Sequence, residues 1–207
     1  WRDSQVRWVF AILAAAIGCM TLYQISGNDL PLAQSLRFTA FNVTSIMTGT
    51  GYVTDDYGQW GGFAVVLFFF VMFIGGCAGS TSCGIKIFRF QVLYAAAHSQ
   101  MSRLLQPHGV FVANFNRRPI PDSVMDSVMS FFFLFALSFA VMAVLLSLMG
   151  LDFLTAVSGA ATAISNVGPG LGDVIGPSGT FAPLPGMAKW LLAAGMLLGR
   201  LELLTVM

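Results

Sequence analysis

Apolar residues run along this chain in long stretches divided by short polar clusters. Residues 8–25, 58–85, 127–151 and 190–199 contain no Asp, Glu, Lys or Arg. A helix that crosses hydrocarbon needs about 20 apolar residues at a rise of 1.5 Å each. Residues 8–25 meet that requirement, with Trp8 and Tyr23 placed as interfacial anchors. Residues 124–150 meet it with length to spare. Residues 185–207 form a third run, opening on Pro185, which is tolerated in a first helical turn.

Two other apolar segments, 32–47 and 152–164, are too short to cross. Each runs into a glycine-containing turn: Thr48-Gly49-Thr50-Gly51-Tyr52 after the first, Ser165-Asn166-Val167-Gly168-Pro169-Gly170 after the second. Asp152 stands where an N-cap belongs. Half-length helices ending in such turns predict re-entrant loops, because irregular backbone at membrane depth is tolerated only where protein buries it or a wet cavity receives it.

Residues 60–97 carry a different pattern. An apolar half is followed by Gly75-Gly-Cys-Ala-Gly-Ser-Thr-Ser-Cys-Gly84, and the apolar pattern then resumes with Lys86 and Arg89. Each Gly inside a helix costs about 1 kcal/mol relative to Ala, so the expectation is a helix broken near mid-membrane. The competing reading is an unbroken Gly-rich helix packed closely on a neighbour.

The chain reads as one unit written twice. Thr48 and Ser165 are 117 residues apart, and at that offset Phe10 falls on Ser127, where the second charge-free run begins. The expected organisation is a first pore repeat over 1–97 (helix 8–25, pore helix 32–47, filter 48–52, broken helix 60–97). A cytoplasmic linker over 98–122 follows. The second pore repeat covers 123–207 (helix 124–150, pore helix 152–164, filter 165–170, helix 185–207). The chain has no initiator Met and stops inside an apolar segment, so it is read as part of a longer protein.

Composition sharpens this into an all-α membrane protein. The sequence is 57% hydrophobic and 9% charged, against about 25% charged in soluble domains. A net charge of +1 gives no sign of nucleic acid, and none is expected as a partner; the lipid bilayer is. Seven of the ten basic residues (Arg2, Arg7, Lys86, Arg89, Arg103, Arg117 and Arg118) precede the first helix or lie between 85 and 126, which makes that side cytoplasmic. Asp29, Asp55, Asp56, Asp152 and Asp173 fall on the other side, where an acidic mouth would concentrate cations. The three cysteines, Cys19, Cys77 and Cys83, read as small packing residues. His98 and His108 lie in the linker, and no metal-ligand spacing with His exists.

A cation stripped of water needs oxygens, and inward-pointing backbone carbonyls supply them where the chain adopts φ/ψ values that Gly permits. Thr48, Gly49, Thr50 and Gly51 have that alternation, with Thr hydroxyls as further ligands, and Ser165, Asn166, Val167 and Gly168 are their counterparts. The helix C-terminus before each turn adds partial negative charge. A ring of about four such segments makes a K⁺ filter, so two further copies, or a second copy of this chain, are expected.

These motifs resemble those of TrkH-type subunits in the Trk/Ktr/HKT superfamily of K⁺ transporters. The residues that carry the likeness are Phe41–Tyr52, Gly75–Lys86, Ser165–Gly170 and Gly199-Arg200-Leu201-Glu202-Leu203. The resemblance implies four helix–pore-loop–helix repeats around one pore, of which this chain supplies the third and fourth. It implies that Gly51 and Gly168 are the key filter glycines, with the carbonyls of Thr48, Gly49, Thr50, Asn166 and Val167 as K⁺ ligands. Asn166 and Pro169 stand where the first turn has Gly49 and Tyr52, which implies an unequal filter. K⁺ is then the transported ion, with no organic cofactor. A homodimer in the bacterial inner membrane, seated on a cytosolic nucleotide-binding ring of the TrkA type, is implied by resemblance alone.

Arg200 is ionisable inside an apolar run, which makes it a functional candidate. Both Arg200 and Gly75 lie about 22 Å along their helices, counted at 1.5 Å per residue from Pro185 and Trp60. The guanidinium is therefore expected at the depth of the break, beside Gly75, Gly76, Gly79, Ser80, Thr81, Ser82 and Gly84, where it would hold free carbonyls and oppose cations. The resemblance adds that this segment is a gate. The alternatives are pairing with Glu202 or snorkelling to the interface. Two other classes are weighed. An intramembrane serine protease using Ser80 would need a nearby base, and both His residues lie in the linker. A non-conducting assembly subunit would use the small residues for packing.

Overall fold

The computed structural model describes residues 3–28, 30–106, 109, 111, 113–116 and 118–201, with Arg118 by its backbone alone. Of the expected sites of charge, Arg2, Asp29, Arg117 and Glu202 lie outside the described residues, as does His108. The first unit consists of α1 (Ser4–Asn28), α2 (Leu32–Thr48), a 3₁₀ turn at Tyr57–Gln59 and α3 (Gly62–Val71). Helix α4 (Ile87–Leu105) and a two-stranded hairpin, β1 (Asn114–Phe115) with β2 (Arg118–Pro119), connect it to the second unit. That unit is α5 (Asp122–Leu148), α6 (Phe153–Ser165) and α7 (Gly186–Arg200).

Helices α1 and α5 are long and apolar enough to cross a membrane, yet only 17% and 22% of their most apolar windows is buried in the protein. Phe10, Leu22, Phe133, Val141, Val144 and Leu148 face outward. In water that surface would be costly, at about 25 cal/mol for each Å² of apolar area. Lipid removes the cost.

Each unit has its own core. In the first, Met20 of α1, Val43 and Ile46 of α2, and Ala64 and Phe68 of α3 pack with Tyr57 and Trp60. Tyr57 is fully buried and stacks on Phe68 with ring centroids 4.1 Å apart. In the second, Phe135 and Met142 of α5 pack with Ala160 and Ile164 of α6 and Leu192 of α7. Val167 and Leu171, from the second unit, belong to the first core, so the units are joined at their turns.

Two expected boundaries move. The broken segment 60–97 is helical only from Gly62 to Val71 and again from Ile87, so residues 72–86 are non-helical. The break is wider than the glycine run because residues on both sides of it are drawn into a bridge between Ile74 and Ile85. The linker expected at 98–122 begins as helix, since α4 continues to Leu105. Two contacts fix the extension: the Ser99 hydroxyl and the Arg103 guanidinium both donate to the Phe111 carbonyl, at 3.2 and 3.1 Å, and Gln100, Met101, Arg103 and Leu104 are good helix formers. In the last run, α7 is described to Arg200, with residues 202–207 outside the described chain.

The half-length helices end alike. Gly49 follows α2 in the left-handed region (φ 71°), and Asn166 follows α6 in the same region (φ 52°). The Gly49 amide donates to the Ile46 carbonyl at 3.1 Å and the Thr50 amide to Ser45 at 2.9 Å. The Asn166 amide donates to Ala163 at 3.2 Å and the Val167 amide to Thr162 at 3.1 Å. Both are Schellman caps. Asn is the usual substitute for Gly in a left-handed position, so the sequence difference at Asn166 leaves the backbone shape intact.

A polar clamp then fixes the chain leaving each turn. Asn42 is fully buried on α2; its side chain accepts from the Thr54 amide at 3.1 Å and donates to the Thr54 hydroxyl at 3.1 Å. On α6 the buried Ser158 hydroxyl accepts from the Leu171 amide at 3.0 Å and donates to the Leu171 carbonyl at 3.2 Å. Thr54 and Leu171 stand at the same offset as Thr48 and Ser165. Replacing Asn42 by Leu leaves the Thr54 groups without their partner and is expected to cost about 1–3 kcal/mol, read as a lower thermal midpoint of the purified protein.

Asp152 caps α6 by accepting from the Thr155 amide at 3.0 Å. The Thr155 side chain and then its amide hold the Asp152 carboxyl below its usual range; of the two, the amide alone makes a well-formed hydrogen bond. A lowered pKa means that the charged cap stabilises the fold above the ordinary carboxylate pKa of about 3.9 and loses that contribution as pH falls through the lowered value. Asp152→Ala is expected to cost about 1 kcal/mol at neutral pH. The gap to the unaltered protein should close in acid, as measured by unfolding across a pH series.

Candidate functional site: two glycine turns and a loop held by Arg200

The two turns touch. A Cβ added to Gly49 would lie 3.5 Å from the Asn166 carbonyl oxygen, and one added to Gly51 would overlap the Val167 carbonyl. One on Gly168 would lie 3.6 Å from the Gly51 Cα. Gly51 and Gly168 also have φ values of 75° and 115°, a region that disfavours side chains. Both restrictions, backbone angle and close approach, act at Gly51.

The carbonyls of Thr48, Gly49, Thr50, Asn166 and Val167 accept no hydrogen bond from the described residues. Helices α2 and α6 both direct their C-terminal partial negative charge at these turns. The Thr48 hydroxyl donates to the Thr44 carbonyl at 2.7 Å, so its 2.8 Å contact with the Thr50 hydroxyl uses the Thr50 proton. The predicted set is uneven in the second turn. Thr48 is exposed, whereas Ser165 is 1% exposed and its hydroxyl faces the packed interior.

Helix α7 reaches the second turn through two contacts. The Asn166 side-chain amide donates to the Met196 carbonyl at 2.9 Å. Gly199 lies so close to α6 that a Cβ there would overlap the Ile164 carbonyl. One residue on, the Arg200 guanidinium donates to the Thr81 carbonyl at 2.8 Å and contacts the Cys83 sulfur at 3.2 Å. One short stretch of α7 thus touches both a glycine turn and the loop.

The loop 75–84 is a sideways excursion. Ile74 and Ile85 are bridged in parallel, with the Gly75 amide donating to Ile85 and the Ile85 amide to Phe73, both at 2.9 Å. The chain therefore returns to the level it left, and the residues between make no progress along the helix axis. Gly84 (φ 80°) makes the return, and a Cβ on Gly75 would overlap the Cys83 carbonyl. Inside the loop, the Ser82 hydroxyl accepts from the Gly76 amide at 2.8 Å and the Ser80 hydroxyl donates to the Cys77 carbonyl at 2.7 Å. Those bonds account for four polar groups of the small-residue run; Gly79 (φ 83°) stands in open space.

At the other end of the units, Asp56, Asp152 and Asp173 line a recess of about 410 Å³ with Gln59 and Ser178. Three carboxylates there favour cations. Among the described residues no cluster of His, Cys, Asp and Glu could hold a metal ion.

Three features escaped the sequence reading. Gly195 and Gly199 form a small-xxx-small stripe whose spacing marks close helix contact, and Gly195 packs against Met142 of α5 and Ala163 of α6. The Asn42 and Ser158 clamps had a weak signal, a polar residue on an otherwise apolar half-length helix. Gln5 had none. It is buried at the start of α1, and its side-chain carbonyl accepts from the Ala78 amide at 2.8 Å.

Paired half-length helices with opposed glycine turns, set among lipid-facing spans, define an all-α membrane transport protein. The chain belongs to the TrkH family of cation transport proteins, whose model matches residues 5–207. It is 52% identical over 206 residues to the Trk system potassium uptake protein TrkI of Halomonas elongata, covering 100% of this chain and 42% of that protein. It is 33% identical over 208 residues to the Trk system potassium uptake protein TrkH of Escherichia coli K12, with the same coverages. The crystal structure of the potassium transporter TrkH from Vibrio parahaemolyticus matches with a TM-score of 0.91 at 33% identity, over 100% of this chain and 44% of that one. The chain therefore spans less than half the length of these relatives. Membership in a cation transport family, not an enzyme family, sets the serine protease reading aside.

Replacing Gly199 with Val would drive its branches into the Ile164 carbonyl. Overpacking of this kind costs about 1–3 kcal/mol. The expected result is a lowered thermal midpoint, with a smaller loss for Gly199→Ala.

Proposed function

We propose that this chain supplies two adjacent quarters, the third and fourth, of a K⁺ uptake pathway across the bacterial inner membrane. The observation that carries the reading is the meeting of two turns of the same backbone shape, each with carbonyls that accept no hydrogen bond from the described residues. The relatives' names, potassium uptake proteins, supply the ion. Carbonyls of Thr48, Gly49, Thr50, Asn166 and Val167 replace K⁺ hydration, and Gly51 and Gly168 permit the geometry. The acidic recess on the outer side gathers cations. On the cytoplasmic side, loop 75–84 blocks the path, with Arg200 holding it through Thr81 and adding a charge that opposes cations. The intact protein works as a homodimer seated on a cytosolic TrkA-type nucleotide-binding ring.

The test is Rb⁺ or K⁺ flux through the intact transporter in lipid vesicles. Arg200→Ala is expected to raise flux roughly tenfold, the weight of one charge-assisted hydrogen bond, and shortening 75–84 is expected to raise it too. Unchanged flux in both overturns the gate. Gly51→Ala is expected to abolish K⁺-selective uptake; full selectivity in that variant overturns the filter.

A further inference from the structure

The loop 75–84 is held at both of its ends, by different helices. Arg200 of α7 holds the return limb at Thr81 and Cys83. The outgoing limb is held by Gln5, whose Oε1 accepts from the Ala78 amide at 2.8 Å across a sequence separation of 73 residues. Gln5 is 9% exposed, whereas Ala78 is exposed and sits in the irregular stretch, where no helix supplies a partner for its amide. A buried side-chain carbonyl that loses its donor is costly, so the Gln5 bond favours the loop position in which it forms. The neighbouring residue Ser4 approaches Gln91 of α4 at 3.5 Å. The first turn of α1 therefore touches the loop and the helix that follows it.

We infer that Gln5 is a second clasp on the loop, a positioning residue that keeps it closed independently of Arg200 and makes the start of α1 part of the gate. The inference rests on the gate reading above. Arg200 contributes charge as well as a hydrogen bond, and its loss changes the electrostatics of the path. Gln5 contributes an acceptor only. Movement of the cytoplasmic end of α1 away from the loop would break the Ala78 bond, whereas the Arg200 contacts belong to a different helix, α7. The two clasps thus offer two separate ways to loosen one loop.

The experiment is Rb⁺ flux through the intact transporter in vesicles, with Gln5→Leu, Gln5→Glu and Arg200→Ala measured together. Gln5→Leu removes the acceptor at similar volume and is expected to raise flux about fivefold, the shift that one net hydrogen bond carries. Gln5→Glu keeps an acceptor oxygen at the same reach, with its charge favoured at a helix N-terminus, and is expected to stay within about twofold of the unaltered protein. Should Gln5→Leu fail to reach the membrane, Gln5→Asn, one methylene shorter, carries the same expectation as Gln5→Leu. If Arg200→Ala raises flux while the acceptor-removing variant does not, the clasp is refuted and the gate stands. If Gln5→Glu raises flux as much as Gln5→Leu, the effect is loss of packing and the clasp is refuted. If Arg200→Ala also leaves flux unchanged, the gate reading falls and the clasp with it.

Discussion

The contact between the two glycine turns sets the terms for the rest of the chain. Gly51 passes so near the Val167 carbonyl that a side chain would not fit, and Gly168 lies against Gly51 in return. Such an approach requires two helix ends to stop at the same level and turn in the same sense. The Schellman caps at Gly49 and Asn166 provide the turn. The Asn42 and Ser158 clamps keep the departing chain from relaxing away from it. The Asn166 and Val167 carbonyl oxygens lie against Gly49 and Gly51, and they accept no hydrogen bond from the described residues. In a bilayer, unused carbonyls are costly unless water or an ion meets them, which connects the geometry to conduction.

Helix α7 transmits that geometry to the loop. It is anchored at Asn166 and Gly199 against the end of α6, and Arg200 follows directly. The reach of the arginine to Thr81 is therefore fixed by how closely Gly199 packs. The parallel bridge at Ile74 and Ile85 makes the loop a closed lateral excursion. Its two ends lie side by side between α3 and α4. Few bonds cross from it to the rest of the chain among the described residues, and the chief ones are the contacts with Arg200 and Gln5. An element tied so sparingly is suited to open locally.

Much of this was legible in the residues. The long charge-free runs mark α1 and α5, and the paired short helices with glycine turns give α2 and α6 with their common offset. Depth counting from Pro185 and Trp60 puts Arg200 beside the loop, as the Thr81 contact has it. Other features lay outside pattern reading. The last turns of α4 are polar and read as linker, and only the bonds from Ser99 and Arg103 to the Phe111 carbonyl show why the helix continues. Asn166 looked like a departure from Gly49, because a residue letter does not display a left-handed backbone. The burial of Ser165 follows from tertiary packing, which the residue's place after an apolar half-length helix does not display. Gln5 carries no periodic or motif signal; its role comes from a contact between the first turn of one helix and a loop far along the chain.

If the two turns bind one ion, crystals of the intact transporter grown in Rb⁺ would locate it by anomalous scattering. The expected density lies between the turns, in reach of the carbonyls of Thr48, Gly49 and Thr50 and of Asn166 and Val167 together. Rb⁺ bound in the acidic recess alone, with none between the turns, would contradict it.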